Sequence, residues 1–374
     1  MPIYLDYNAT TPLLPEVADI VCRTMLEEFG NAGSRTHEFG LNAKRIVEAA
    51  RQQVAEIVNA DKAEVIFTSG ATESNNIAIL GLREFGKKVG KRHIITTKVE
   101  HKSVLEPFEY LKSLGFEVTY LDVSESGCVD VNDLRASLRE DTLLVSVMHI
   151  NNETGVIQPI TDICKTLANH EAYFHVDAAQ SFGKFPFDLM NKRIDLISAS
   201  GHKLYAPKGI GALVLRRRGY LRPPLEPIMF GGGQEKGLRP GTLAVPLIAG
   251  FGAACDIASK RAQEWFLSAS ETKKNVLRAL MELNAVQNGE NTSPYVLNFS
   301  VPGINSEAAM VSLKKIVAVS NGSACTSNSY KLSHVLSAMK LNDDRIAGAI
   351  RFSFGPEMKE LPIKQMIKCF RSML

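Results

Sequence analysis

Short apolar segments that end in polar or glycine residues alternate with helical stretches over the first two thirds of the chain. This rhythm limits the chain to few folds. The apolar segments lie at 63–70, 93–97, 116–123, 142–150, 174–180 and 194–198, and helical spacing follows Gly70 and His101 and recurs around 131–139 and 160–170. Such alternation predicts βαβ units and a mostly parallel α/β sheet. The stretch 142–150 is almost continuously apolar, the mark of a strand buried on both faces. Ahead of the first strand, Pro15 opens a helix, and residues 39–58 carry Ile46, Val47, Ala50 and Val54 at helical spacing. Past residue 256 the pattern changes. A long helix over 257–283, strands at 295–301 and 316–320, and helices at 308–313, 331–339 and 360–372 predict a smaller α+β unit. A chain of 374 residues exceeds one simple core. The expected division is a large domain over 15–255 and a small domain over 1–14 and 256–374.

Composition excludes several classes. Lys plus Arg exceed Asp plus Glu by 43 − 40 = 3, too little to argue for nucleic acid. No apolar run approaches a membrane span, and the stretch from Met1 to Asp6 lacks the basic and apolar regions of a secretory signal. The six cysteines, Cys22, Cys128, Cys164, Cys255, Cys325 and Cys369, form no C-x-x-C pair and no zinc spacing, so no metal is expected. A reduced, cytoplasmic chain follows. Cys164 reads as a helical core position, whereas Cys325 stands on a loop of small and polar residues, unusual for a residue type that is mostly buried.

Ligands of open parallel sheets collect beyond the carboxyl ends of the strands, and here those ends carry Thr72, His101, Asn152, Asp177, Gln180, Ser200, His202 and Lys203. A lone lysine after a strand is ordinarily solvated surface; convergence with the other residues reverses that reading. Gly70 feeds a helix that starts at Ala71 and Thr72, so backbone N–H groups and the helix dipole converge on a phosphate-sized site. It is not a Walker loop, because G-x-x-x-x-G-K-[ST] is absent. A lysine and a buried acid at neighbouring strand ends suit pyridoxal phosphate, which needs an amine to join and an acid to hold its ring nitrogen protonated. The glycine-rich loop 229–242 lacks dinucleotide spacing and reads as a binding or interface loop. Arg351, in the apolar segment 347–354, calls for a carboxylate partner.

Residues 4–12, 67–76, 100–102, 149–155, 175–180, 200–203, 231–242, 322–326 and 350–353 together resemble the cysteine desulfurases of the NifS/IscS type, class V aminotransferase-like enzymes, across essentially the whole chain. The resemblance implies a homodimer of the PLP-dependent transferase fold type I, a large domain with a mostly parallel sheet plus a smaller α+β domain. It implies pyridoxal 5'-phosphate as cofactor, with Lys203 as the Schiff-base lysine and Asp177 as the pyridinium partner. His101 stacks on the ring and Gln180 bonds its phenolic oxygen. Ala71, Thr72, Ser200 and His202 hold the phosphate, and Thr242 reaches over from the second subunit. Asn152 and Arg351 bind the substrate carboxylate, and Cys325 is the nucleophile.

The implied reaction converts L-cysteine to L-alanine. Lys203 takes the α-proton, and the Cys325 thiolate attacks the substrate sulfur to become a persulfide. The sulfur then passes to an acceptor protein in iron–sulfur assembly, tRNA thiolation or DNA phosphorothioation, with no direct nucleic-acid or membrane contact by this chain. Asn321 and Pro240 stand where serine is expected. No C-terminal extension of the kind that docks an iron–sulfur scaffold follows the last helix, and the long segment after Cys325 resembles the long-loop group. Rival readings are a selenocysteine lyase-like or other class V enzyme, and a non-catalytic sulfur-carrier subunit. Cys325 argues against an aminotransferase; intact Lys203, Asp177 and Arg351 argue against a mere carrier.

Overall fold

The computed structural model describes residues 1–322, 332–356, 358 and 361–374. Its central sheet has strands β1 (Val65–Thr68), β2 (His93–Thr97), β3 (Glu117–Leu121), β4 (Thr142–Ser146), β5 (Tyr173–Asp177), β6 (Leu196–Ser200) and β7 (Gly211–Leu215). Their spatial order is β1-β7-β6-β5-β4-β2-β3. The five strands from β6 to β3 run parallel, and β7 is antiparallel to both β1 and β6. The expected mostly parallel α/β sheet is present.

Successive strand residues point to opposite faces, and the core divides accordingly. Val65 and Phe67 face α1 (Pro15–Leu26) and α2 (Glu38–Glu56), whereas Ile66 faces α3 (Ala71–Leu80) and α4 (Lys102–Ser113). Val145 and Leu144 divide in the same way. Because both faces are covered, a nearly unbroken apolar run is stable in β4.

Three boundaries differ from the sequence pattern, each for a packing reason. First, β6 runs two residues past the apolar segment 194–198, since Ala199 and Ser200 still pair with Ala212 and Gly211 of β7. β7 itself is hidden by its opening glycine. A Cβ on Gly211 would lie 2.5 Å from the Ala199 carbonyl oxygen and 2.6 Å from the Gly70 Cα, so close backbone approach, and not a turn, requires glycine there. Second, β4 stops at Ser146, after which Met148 donates its N–H to Glu100 Oε1 and Ile150 bridges to Ile157.

Third, the long helix α5 spans Val245–Met281 and so begins well before the expected 257. Its first turns contain Gly250 and Gly252 and are apolar all round, so they lack the one-sided periodicity of a surface helix. They are buried against α1 and α2. A Cβ on Gly250 would sit 2.5 Å from Val21, and one on Gly252 would sit 2.6 Å from Ala50. The helix then carries Trp265, fully buried and edge-on to Tyr205 with ring centroids 5.2 Å apart. Farther along, Val276 and Leu280 enter another core with Leu5, with β9 (Val296–Ser300) and β10 (Ala349–Ser353) of a three-stranded sheet completed by β8 (Val286–Gln287), and with α6 (Ile363–Arg371). Position 255 therefore falls inside a continuous helix. The strand expected over 316–320 is reduced to Val317–Ala318, paired in parallel with Ile3–Tyr4. Among the described residues, no helix is long and apolar enough to cross a membrane.

Gly252 makes the packing argument testable. Helix propensity alone favours Gly252→Ala by about 1 kcal/mol, but the added methyl meets backbone of α2. Overpacking costs about 1–3 kcal/mol, so Gly252→Ala should lower the thermal midpoint. A raised midpoint would show that α2 and α5 can separate without loss.

Candidate active site

Lys203 lies in a single 3-10 turn, Gly201–Lys203, directly after β6. Its amine donates to the carbonyls of Asn8 and Ala9, the latter at 2.9 Å. The Asn8 carbonyl also accepts from Gln180 Nε2 at 3.1 Å. Asp177 closes β5 on the neighbouring strand and is buried, with 5% exposure. Its Oδ1 accepts the Ala179 N–H at 2.9 Å and its Oδ2 accepts from Asn75 Nδ2 at 2.8 Å. Acid and amine thus stand at adjacent strand ends, as the sequence pattern requires.

The turn before α3 is built around Gly70, at φ 154°, a value that L side chains rarely adopt. A Cβ there would meet Ser200 Oγ at 3.6 Å, so the N-terminus of α3 opens beside Ser200. Thr72 is exposed at that terminus and Ala71 partly so. No side chain caps this helix, which leaves its first N–H groups available to an anion. His202 Nδ1 lies 3.2 Å from Thr10 Oγ1. Burial, then the charges of Lys203 and Lys208, push His202 down to about 4, so it is a neutral ring at pH 7.

Arg351, in β10, is 4% exposed. Its Nη1 donates to the Asn152 carbonyl at 2.9 Å and its Nη2 to Asp6 Oδ1 at 2.6 Å, while Nε is buried without a partner. The carboxylate that a buried arginine requires is therefore supplied within the chain by Asp6, and Asn152 is brought to the fork through its backbone. Two of the expected residues are not joined to this cluster. Thr242 is exposed and, among the described residues, makes no hydrogen bond to it. Cys325 lies outside the described residues.

Several residues escape the sequence reading. Asn75 stands three positions after Thr72, on the same face of α3, and that spacing could have pointed to it. Asn8 sits in the segment 4–12, which entered the resemblance without a role for Asn8 itself. Lys184, with 4% exposure, lies 5.7 Å from the Tyr205 ring centre and 5.4 Å from that of Tyr295. Burial, with Lys203 adding to it, pushes Lys184 down to about 7. Glu100 is fully buried, accepts from Thr97 and Met148 on Oε1, has no partner on Oε2, and is pushed up by burial to about 8. Glu235 anchors the glycine-rich loop in a buried fork with Arg51 at 2.6 and 2.8 Å. That loop lies over β1, because Glu235 also accepts the Phe67 N–H at 2.6 Å.

The arrangement can hold a protonated ring nitrogen at Asp177, join a carbonyl compound at Lys203, and receive an anion at α3. Comparison with known proteins agrees in class. Residues 3–366 match the aminotransferase class-V family, to which the chain belongs. Within it, the chain belongs with the cysteine desulfurases of the NifS/IscS type. It is 48% identical over 95% of its length to cysteine desulfurase IscS of Vibrio atlanticus (strain LGP32), covering 88% of that relative. A solved NifS-like protein superposes with a TM-score of 0.91 at 36% identity, over 100% of this chain and 99% of the other. SspA in complex with cysteine superposes with a TM-score of 0.82 at 35% identity, over 96% and 100%.

His175 gives the site a pH dependence. It is fully buried in β5, with Nδ1 2.8 Å from Ser146 Oγ and Nε2 2.9 Å from Ser198 Oγ. Burial lowers it to about 4, against the pull of Asp177. The unfolded chain therefore takes up this proton first, so stability is lost as pH falls from about 6.5 towards 4, by up to about 3 kcal/mol. In urea titrations at pH 7 and 4.5, His175→Gln should lose less stability on acidification than the wild type. An equal loss would remove His175 from the linkage.

Proposed function

We propose that the protein is a pyridoxal 5'-phosphate-dependent cysteine desulfurase that converts L-cysteine to L-alanine and carries the sulfur as a persulfide on Cys325. The observation that carries this reading is the pair Lys203 and Asp177 at adjacent strand ends, with Arg351 drawn to the same N-terminal segment. The unpartnered buried atoms Gln180 Oε1 and Asn75 Oδ1 fit a polar aromatic ligand between them, and the uncapped end of α3 fits its phosphate. When bound, the cofactor supplies an electron sink for the substrate α-carbon.

The chain's own residues do the rest. Asp177, bonded by Ala179 and Asn75, would pair with the ring nitrogen of the cofactor. Gln180 would bond the ring oxygen and His101 would cover the ring. Ala71, Thr72, Ser200 and His202 would hold the phosphate, joined by Thr242 from the second chain of a homodimer. Arg351 orients the substrate carboxylate by exchanging its bond to Asp6, with Asn152 beside it. Lys203 Nζ takes the α-proton and returns it to the α-carbon before alanine leaves. The Cys325 thiolate forms a bond to the substrate sulfur as the carbon–sulfur bond breaks; that electron pair passes to carbon, which is protonated to the methyl group of alanine. The solved complex of SspA with cysteine supports this substrate. Residues 15–255 form the cofactor-binding part, and residues 1–14 with 256–374 the smaller part that carries Cys325. The enzyme acts in the cytoplasm and hands sulfur to an acceptor protein.

Purified protein should form alanine and sulfide from L-cysteine with a reductant present, and borohydride should fix the cofactor on the Lys203 peptide by mass. Cys325→Ser should keep the visible cofactor band yet lose alanine formation, because a serine hydroxyl is scarcely ionised and attacks sulfur poorly. Normal turnover in that variant would refute the nucleophile. In a separate test, Arg351→Ala should raise KM for cysteine about 10- to 150-fold, the loss of one charge-assisted pair, with cofactor content little changed. An unaltered KM would remove Arg351 from substrate binding.

A further inference from the structure

His101 is the N-cap of α4, and its ring is held by two groups of the same residue. The backbone N–H of Ser103 lies 3.1 Å from His101 Nδ1. A backbone N–H can only donate, so Nδ1 must carry its lone pair and the proton must be on Nε2. Ser103 Oγ lies 2.8 Å from the same Nδ1 and, facing a lone pair, donates its hydrogen there. That hydroxyl is directed from behind by Asn75, whose Nδ2 donates to Ser103 Oγ at 2.8 Å and, with its other hydrogen, to Asp177 Oδ2 at 2.8 Å. The chain of donors therefore runs one way, from Asn75 through Ser103 to His101. Nδ1 is filled, and a second proton on the ring would face two donors.

We infer that His101 acts as a neutral imidazole whose Nε2–H is a hydrogen-bond donor in the site, not as an imidazolium acid, and that Ser103 and Asn75 are positioning residues that hold it in that form. Nε2 has no hydrogen-bond partner among the described residues, and the ring lines a groove of about 440 Å³ together with Thr72, Asn76 and Ser103. The charges that reach it are mixed. Burial is the largest influence and lowers its proton affinity; Asp177 opposes this, while Lys203, His334 and Lys102 act with burial. The start of α4 adds a positive dipole end against protonation. A neutral ring of this kind polarises a ligand oxygen or nitrogen without taking part in net proton transfer. The inference shares with the proposed function only the placing of His101 at the site.

The test is a ring-nitrogen NMR titration of full-length holoenzyme labelled with 15N-histidine, the His101 signals being assigned by their loss in His101→Gln. The expected wild-type result is a neutral ring with bare Nδ1 and protonated Nε2 at pH 7, titrating below the ordinary histidine value. Ser103→Ala removes a donor that favours the neutral form, so its midpoint should rise by about one pH unit. A wild-type ring that titrates near the ordinary histidine value of about 6.5, or that carries its proton on Nδ1, overturns the assignment. An unmoved midpoint in Ser103→Ala overturns the positioning role. Should that variant fail to fold, the wild-type tautomer and titration still decide the first part. Missing cofactor absorbance would count against the proposed function alone, since the tautomer is read from the ring itself.

Discussion

The site depends on the N-terminal segment around Asp6–Thr11, which lies between the end of the central sheet and the smaller sheet. Its backbone and side chains bind both sides at once. Asn8 accepts from Lys203 and Gln180 through its carbonyl, donates its N–H to Ser353 Oγ at 2.9 Å, and donates Nδ2 to the Asn152 carbonyl at 3.0 Å. Asp6 holds Arg351, and Thr11 donates through both N–H and hydroxyl to the His202 carbonyl. Two residues 148 positions apart, Lys203 and Arg351, are thereby kept in one place. Buried backbone groups must find partners, and here the partners are the site's own residues, so disturbing this segment disturbs every part of the site.

Electrostatically, the site holds few charges and several groups kept neutral. Burial is the leading cause for His175, His202 and Lys184, all pushed towards their uncharged forms, and for Glu100, pushed towards protonation. Arg351 is kept beside Asp6, and Asp177 is bonded by a backbone N–H and by an amide. Such a site gives a ligand's charge strong effect, because the surrounding dielectric is low and competing ions are few. Hydrogen-bonded neutral groups also hold their geometry without the solvation cost of extra buried ions.

The sheet and much of the candidate site are legible in the sequence because both follow local rules. Alternation of apolar segments with helical spacing is a property of neighbouring residues, and strand ends are where a polar residue interrupts an apolar run. Lys203, Asp177, Gln180 and Thr72 were found at such ends. The misread positions share another character. Gly211, Gly250 and Gly252 are small because another backbone or side chain occupies the place of their Cβ, and a sequence gives the same letter to a turn and to a close contact. Lys184 is buried between two tyrosines drawn from distant segments, and nothing beside it in the chain announces this.

What the sequence by itself determined is the kind of fold, the chemistry of the lysine, acid and arginine, and the order in which they occur. Periodicity and residue type suffice for these, since each is set within a few residues. Only the tertiary structure decided that Asp6 occupies the Arg351 fork, that the Asn8 carbonyl meets the Lys203 amine, and that Asn75 and Ser103 set the proton of His101. Those facts depend on which side chain approaches which across long stretches of chain. Hydrogen bonds are directional and reach only about 3 Å, so they are settled by packing, after the local pattern has already been satisfied.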